Sequence, residues 1–370
     1  MLWQSIICPL NAVVNAARSH VAHYTALITF VVIVFTSFYP FTGWAYSGRP
    51  LFEFLSYPLP YYFRVFDNAV NFIVYLPLGF ALALTCRPRI LGWLLAVLLC
   101  GLASLLVEFG QQFLPSRVSS NLDMLYNAAG GALGATLAVS PLFRRLWHRI
   151  WRARQRYFRS ETAADYAVVL IALWFVTQLD PSVPLFGVVV RPLGLPQPFV
   201  SPLENPMLFL LLVEAGSVML HLVAVLLFVT TFLADRRYYA RAVMLVMLLP
   251  WLLKMMTAGA LLKPMALFEW ISFNVMTGLS AGFLLVWLFT RFPPLVQAVV
   301  ALLALAGTRV LAAMWPLTRS DEEMLSLFRW HYGHLANMNA LIAFLSQLWP
   351  YAALATLLGL LWQSARQRKA

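Results

Sequence analysis

The chain has 370 residues, of which 62% are hydrophobic and only 11% are charged, and its mean hydropathy is +0.78. A soluble globular protein carries about twice that share of charged residues, so this composition excludes a soluble enzyme or binding domain. The net charge of +12 does not indicate a nucleic-acid partner. Most of the 26 Lys and Arg residues stand between hydrophobic runs, where they report membrane topology.

The hydrophobic runs have the length of membrane-spanning helices, about 20 residues, whereas a spanning β-barrel would show short alternating strands. They predict an all-α polytopic membrane protein with about ten transmembrane helices. The predicted helices cover residues 22–40, 66–86, 90–114, 121–141, 165–180, 206–234, 240–262, 266–290, 294–315 and 337–362. Most Lys and Arg residues flank one set of alternate helix ends. This bias predicts a multi-pass protein of the bacterial plasma (inner) membrane with both termini in the cytoplasm.

An arginine-rich segment divides the chain. Residues 1–143 are expected to form a four-helix membrane domain, residues 144–164 a basic cytoplasmic linker at the membrane interface, and residues 165–370 a second bundle of about six helices. The Trp and Ile residues of the linker fit the headgroup region, with the Arg residues facing anionic lipid. The alternative, a positively charged anchor between two bundles, is the interpretation that we favour.

Polar residues are concentrated in the second to fourth predicted helices. Because polar groups inside a bilayer are costly, such residues mark either a functional site or a buried pairing. Within each helix they are three or four residues apart and therefore share a face. At 1.5 Å per residue, all three faces lie within roughly 10 Å of the outer boundary. The candidate ligand-binding residues are Asp67, Asn71, Glu108, Gln111, Arg117, Asp123 and Asn127. Arg117 suits phosphate or carboxylate, which a guanidinium binds through two donors.

Two stretches of this region resemble the VanZ-like family of membrane proteins. The first block is Asp67-x3-Asn71-x3-Tyr75-Leu-Pro77-Leu-Gly79. The second, more specific block is Glu108-x2-Gln111-x-Phe113-x-Pro115-x-Arg117-x5-Asp123-x3-Asn127-x2-Gly130-x3-Gly134. The resemblance covers about residues 20–140 and leaves the last six predicted helices unexplained. It implies an association with resistance to the glycopeptide teicoplanin, which acts on cell-wall precursors outside the membrane.

These observations favour a cell-envelope protein that binds or handles a lipid-linked or cell-wall-related headgroup at an outward-facing polar site. One alternative is a membrane enzyme, a hydrolase or transferase acting on a lipid-linked substrate, and another is a transporter or lipid flippase. The charges could also pair with one another and only hold the bundle together. The expected partners are the lipid bilayer and a lipid-linked cell-wall precursor or anionic lipid, with no cofactor and no metal.

The second bundle carries a smaller set of polar residues in its predicted helices. They are Glu214, His221, Lys254, Glu269 and Arg309. Glu214 or Glu269 is expected to pair with Lys254 or Arg309, and a path for ions or protons is the alternative.

Two further patterns in the second bundle suggest catalysis or metal binding. The GxSxG sequence around Ser280 lies inside a predicted helix, so we interpret it as small-residue helix packing rather than a hydrolase nucleophile. His331 and His334 are interpreted as surface residues rather than metal ligands.

Overall fold

The computed structural model describes residues 22–39, 41–46, 48, 50–59, 65–86, 89–115, 117–179, 201–260, 272–314 and 334–367. Over these ranges the chain forms α-helices and short 3-10 helices, with no β-structure beyond the isolated bridge that joins Phe158 and Leu233. The chain divides into two compact units, Met1–Ala153 and Arg154–Ala370. Each unit has its own packed helices.

The first four helices of the first unit follow the predicted positions closely, and a fifth, which was not predicted, comes after them. They are α1 (Ala22–Phe38), α2 (Val65–Thr85), α3 (Arg89–Gln111), α4 (Asn121–Val139) and α5 (Pro141–Tyr157), whose last residues belong to the second unit. Helix α5 occupies most of the segment that the sequence indicated only as a basic linker. Pro141 suits the first position of a helix, and the Arg, Leu and Gln residues after it are good helix formers.

Helix α4 packs very closely against α2, because glycines leave room for the backbones to approach. A Cβ atom on Gly130 would overlap the carbonyl oxygen of Phe72, and one on Gly134 would overlap that of Leu76. Gly79 of α2 meets the backbone of Gly131 in the same way. The GxxxG step formed by Gly130 and Gly134 is therefore a helix-packing motif in this protein.

The second unit is built around one long buried helix. Its helices are α6 (Thr162–Thr177), α7 (Pro206–Phe232), α8 (Tyr239–Ala260), α9 (Phe273–Phe289), α10 (Pro294–Met314) and α11 (His334–Gln367). Helix α7 packs against both α9 and α10, and α11 packs against α6. The Asn205 side chain caps the start of α7 by accepting hydrogen bonds from the backbone N–H groups of Met207 and Leu208, at 3.0 and 3.2 Å.

Six helices within the described ranges are long and apolar enough to cross a membrane, namely α2, α3, α7, α8, α10 and α11. Three shorter apolar helices, α1, α6 and α9, accompany them. Helix α4 falls in neither group, because Asn121, Asp123 and Asn127 lower the hydropathy of its first half. The chain is thus an all-helical multi-pass membrane protein. The predicted number of ten spans and the side of the termini stay predictions.

Among the described residues of the second unit, Arg154 makes the least exposed ion pair, and its loss should be costly. Its guanidinium contacts Asp165 at 2.6 Å and also donates to the carbonyl of Arg159 at 2.7 Å. We expect Arg154→Gln to lower the free energy of unfolding by up to about 3 kcal/mol, because a largely buried carboxylate, 13% exposed, loses its partner. Thermal unfolding of the full chain in detergent measures this change.

Arg237 provides the matched control, because its ion pair with Asp235 is exposed, with 67% and 49% of the two side chains accessible. An exposed pair contributes only about 0–1 kcal/mol, so Arg237→Gln should leave unfolding almost unchanged. Equal effects of the two substitutions would contradict a structural role for the Arg154 pair.

Candidate functional site

Glu108 is a buried carboxylate at the end of the first unit where α3 stops and α4 begins. Its side chain is 2% exposed, and its Oε2 atom accepts a hydrogen bond from the backbone N–H of Ser120 at 2.9 Å. Ser120 is the N-cap residue of α4, and its hydroxyl accepts from the N–H of Leu122 at 3.1 Å. The carboxylate therefore lies at the positive end of the α4 dipole, where a negative charge is stabilised.

Asp123 joins Glu108 at this helix end. Ser120 and Asp123 have the spacing of a capping box, in which the third residue of the helix accepts from the N-cap N–H. Here that N–H donates to Glu108 of the neighbouring helix. Asp123 is partly buried and close enough to Glu108 for their charges to interact. Two predicted site residues thus share the N-terminus of α4.

A second layer of polar groups lies one helical turn deeper. Asn127 is 3% exposed, and its Nδ2 atom donates to the Ser104 hydroxyl at 3.0 Å. The Tyr75 hydroxyl lies beside Ser104 and near Glu108. Asn127 Oδ1 and Asn68 Nδ2 are buried and have no hydrogen-bond partner among the described residues. Such unsatisfied groups are uncommon in folded proteins, where water or a ligand usually completes them.

Gln111 and Arg117, two further predicted site residues, attach α1 to the rest of the unit. Gln111 Nε2 donates to the carbonyl of Ser37 at 3.3 Å, and Arg117 Nη2 donates to the carbonyls of Thr36 and Tyr39, each at 3.3 Å. These acceptors are carbonyls at the C-terminal end of α1, which have no intrahelical partner and favour a nearby cation.

Burial lowers the pKa of the Arg117 guanidinium from its usual value, but arginine remains protonated at physiological pH. Because Nη2 donates to the carbonyls at the end of α1, Nε and Nη1 are the donors that a ligand could use.

Arg117→Ala should loosen the end of α1, since its carbonyls would lose their donors. The expected cost is about 1–3 kcal/mol, which corresponds to roughly fivefold to 150-fold faster amide exchange in the last turn of α1. Hydrogen exchange of the full chain measures this, with Arg145→Ala, an exposed residue of α5, as the control. Unchanged exchange in α1 would contradict the attachment.

Residues 50–59, which precede α2, fold over the same end of the unit. Asn121 Nδ2 donates to the Tyr57 carbonyl at 2.6 Å, and Phe52 stacks on Phe109 of α3 with ring centroids 4.8 Å apart. The backbone N–H of Phe52 donates to Gln112 Oε1 at 3.4 Å. This covering segment was not predicted, because a loop without periodicity gives no signal of where it folds.

The remaining predicted residues of the first unit are less informative. Asn71 lies on α2 and is partly buried. Asp67 lies in the first turn of α2, but its side chain is outside the described residues. Ser104 and Ser120 were missed by the sequence reasoning. The capping-box spacing of Ser120 and Asp123 was a signal that could have indicated Ser120.

The polar residues of the second unit separate into small groups. Glu214 accepts hydrogen bonds from Ser272 Oγ at 3.1 Å and Asn274 Nδ2 at 2.8 Å, both near the start of α9. Arg309 Nη2 lies 3.0 Å from the Tyr351 hydroxyl, with the guanidinium over the tyrosine ring.

His221 is near Arg309, and its Nδ1 atom is 2.9 Å from the Ser217 carbonyl. Lys254 is buried. Glu269 lies outside the described residues, so its predicted pairing with Lys254 or Arg309 stays a prediction.

The GxSxG sequence packs helices together, as predicted. Ser280 lies within α9, and its hydroxyl donates to the Met276 carbonyl at 2.8 Å. A Cβ atom on Gly278 would overlap the Ala215 carbonyl of α7, and Gly282 faces Leu222 of the same helix. His331 and the side chain of His334 lie outside the described residues.

The fold and the polar cluster together define a multi-pass helical membrane protein with a carboxylate-bearing end on its N-terminal unit. Residues 6–144 match the family model of VanZ/LLP1, so the chain carries a VanZ-like domain over a little more than a third of its length. No curated protein and no solved structure matches the chain. The predicted resemblance to the VanZ-like family is thereby confirmed.

Proposed function

We propose that this chain is a VanZ-like protein of the bacterial inner membrane that binds or handles a lipid-linked or cell-wall-related headgroup. Ten helices cross the membrane, both termini are cytoplasmic, and the end of the first unit that holds Glu108 and Asp123 faces outward. The arginine distribution supports this orientation, since Lys and Arg are enriched on cytoplasmic loops. An outward site is compatible with a link to glycopeptide resistance.

The observation that carries this proposal is a pair of buried polar atoms without described partners, one on α2 and one on α4. Asn68 Nδ2 and Asn127 Oδ1 have no hydrogen-bond partner within the described ranges, although both side chains are buried. Leaving such an atom unsatisfied costs about 1–3 kcal/mol, so a ligand that completes it gains that amount on binding. A purely structural cluster would be expected to satisfy these atoms internally.

The chemistry of the site favours a ligand with both donors and an anion. Glu108 and Asp123 accept hydrogen bonds from hydroxyl, amide or ammonium groups of a sugar or peptide. Arg117 retains Nε and Nη1, which suit a phosphate or carboxylate. Asn71, Gln111 and Asn127 orient these groups. A lipid-linked cell-wall precursor combines a diphosphate with sugar and peptide groups and meets both requirements.

The test is binding of a polyprenyl diphosphate-linked muramyl pentapeptide to the purified full chain in detergent, compared with phosphatidylcholine. Saturable binding of the precursor, with neither turnover nor movement across liposomes, would support the proposal. Release of a cleaved product would instead assign the chain as an enzyme, and movement across liposomes would assign it as a transporter. If the chain bound the precursor no more tightly than phosphatidylcholine, the proposed binding site would be refuted.

A further inference from the structure

The segment that contains α5 has a charge pattern unlike the rest of the chain. No Asp or Glu stands between Asp123 and Glu161, whereas α5 alone contains six arginines. Arg154, the fifth of them, is paired with Asp165 of the second unit. The four arginines that precede Arg154 in α5 have no acidic residue near them in the sequence.

Two stripes run side by side along the part of α5 that belongs to the first unit. Arg145, Arg149 and Arg152 are four and three residues apart, so they share one helical face. Leu142, Leu146 and Ile150 are four residues apart and are 71%, 46% and 51% exposed. At 3.6 residues per turn, the centres of the two stripes are roughly 90° apart. Among its described side chains, this part of α5 thus exposes a basic stripe next to an apolar one.

The start of α5 is also placed at an end of the membrane helices. It begins two residues after α4 ends at Val139, and α4 packs against both α2 and α3. Helix α2 ends and α3 begins at this same end, because α4 runs parallel to α2 and antiparallel to α3. A helix there with adjoining apolar and basic stripes has the character of a helix that lies in the plane of a membrane surface.

We propose that α5 lies in the headgroup layer and binds anionic phospholipid through its arginine stripe. The apolar stripe of Leu142, Leu146 and Ile150 enters the acyl-chain boundary, and Arg145 and Arg149 contact the lipid phosphates. Charge complementarity selects an anionic lipid over a zwitterionic one, since guanidinium groups bind phosphate through paired donors. This site is at the opposite end of the first unit from Glu108 and does not depend on the ligand proposed there.

Native mass spectrometry of the full chain in detergent can compare binding of phosphatidylglycerol and phosphatidylcholine. Each arginine near an anionic surface contributes about fivefold to binding, so Arg145→Gln with Arg149→Gln should weaken phosphatidylglycerol binding roughly 25-fold. The matched control is Arg241→Gln with Arg366→Gln, which removes the same charge from exposed arginines of the second unit. An equal loss in the control, or no preference of the wild type for phosphatidylglycerol, would overturn the proposal.

A measurement on the unmodified protein guards against a variant that fails to fold. Phosphatidylglycerol binding by the wild type should weaken as salt rises to about 1 M, where the Debye length falls to about 3 Å. Binding that does not depend on salt would overturn the electrostatic part of the proposal, whatever the variants do.

Discussion

Glu108→Gln is expected to weaken binding of the lipid-linked precursor by roughly tenfold to a hundredfold while the chain still folds. The substitution replaces one carboxyl oxygen with an amide NH2 group, which cannot accept a hydrogen bond, and a ligand donor left without an acceptor costs about 1–3 kcal/mol. The glutamine oxygen can still accept from the Ser120 N–H that Glu108 holds at 2.9 Å. Because that bond to the α4 N-terminus is kept, the substitution should cost at most about 1 kcal/mol of stability. Binding and thermal unfolding of the same purified sample measure both effects.

Glu108→Ala and Glu204→Gln are the comparisons that make this result interpretable. Glu108→Ala leaves the buried Ser120 N–H without an acceptor, so it should lose stability as well as binding. Glu204 is an exposed acid in the second unit, and its substitution should change neither quantity. If Glu108→Gln bound the precursor as tightly as the wild type, the carboxylate would be only an inter-helix cap and the proposed site would be wrong.

Gly134→Ala is expected to destabilise the first unit by about 3 kcal/mol or more. The added Cβ would overlap the Leu76 carbonyl oxygen and approach the Phe80 nitrogen at 2.9 Å. Both are backbone atoms, which cannot rotate away as a side chain could, so α2 and α4 must separate. Overpacking of this kind typically costs about 1–3 kcal/mol and occasionally more. Thermal unfolding of the full chain in detergent provides the measurement.

Gly101→Ala is the matched control for this packing contact. Gly101 lies inside α3, and a Cβ atom there would meet nothing within 4 Å. Alanine is favoured over glycine inside a helix by roughly 0.5–1 kcal/mol, so this change should be neutral or slightly stabilising. Similar unfolding temperatures for Gly134→Ala and Gly101→Ala would show that α2 and α4 do not meet at their backbones.

Much of the fold could be predicted because lipid imposes a simple rule on sequence. A helix that crosses the bilayer needs an apolar run of about 20 residues, and such runs predicted the ends of α2, α3, α7 and α10 to within three residues. Helix α5 was not predicted as a helix, because its arginines were interpreted as a topological anchor between two bundles. Its adjoining stripes become evident only when the segment is known to be helical.

The sequence predicted which residues form the candidate site, but not which groups their side chains hydrogen-bond. Spacing placed Glu108, Gln111 and Gln112 on neighbouring positions of one helix. In the folded unit they bond to different segments: Glu108 to the start of α4, Gln111 to the end of α1, and Gln112 to the loop at Phe52. Periodicity describes one helix at a time, so it cannot say which partner each side chain meets.

The sequence by itself determined that this is a helical membrane protein with a VanZ-like N-terminal domain and a polar cluster on three of its helices. Hydrophobic length, arginine placement and two motif blocks are local properties, and local properties can be read from the chain. Only the tertiary structure decided that Arg117 caps α1 and that Asn68 and Asn127 retain buried atoms without partners among the described residues. Whether a polar atom is satisfied depends on segments far apart in the chain, and those meet only when the helices pack.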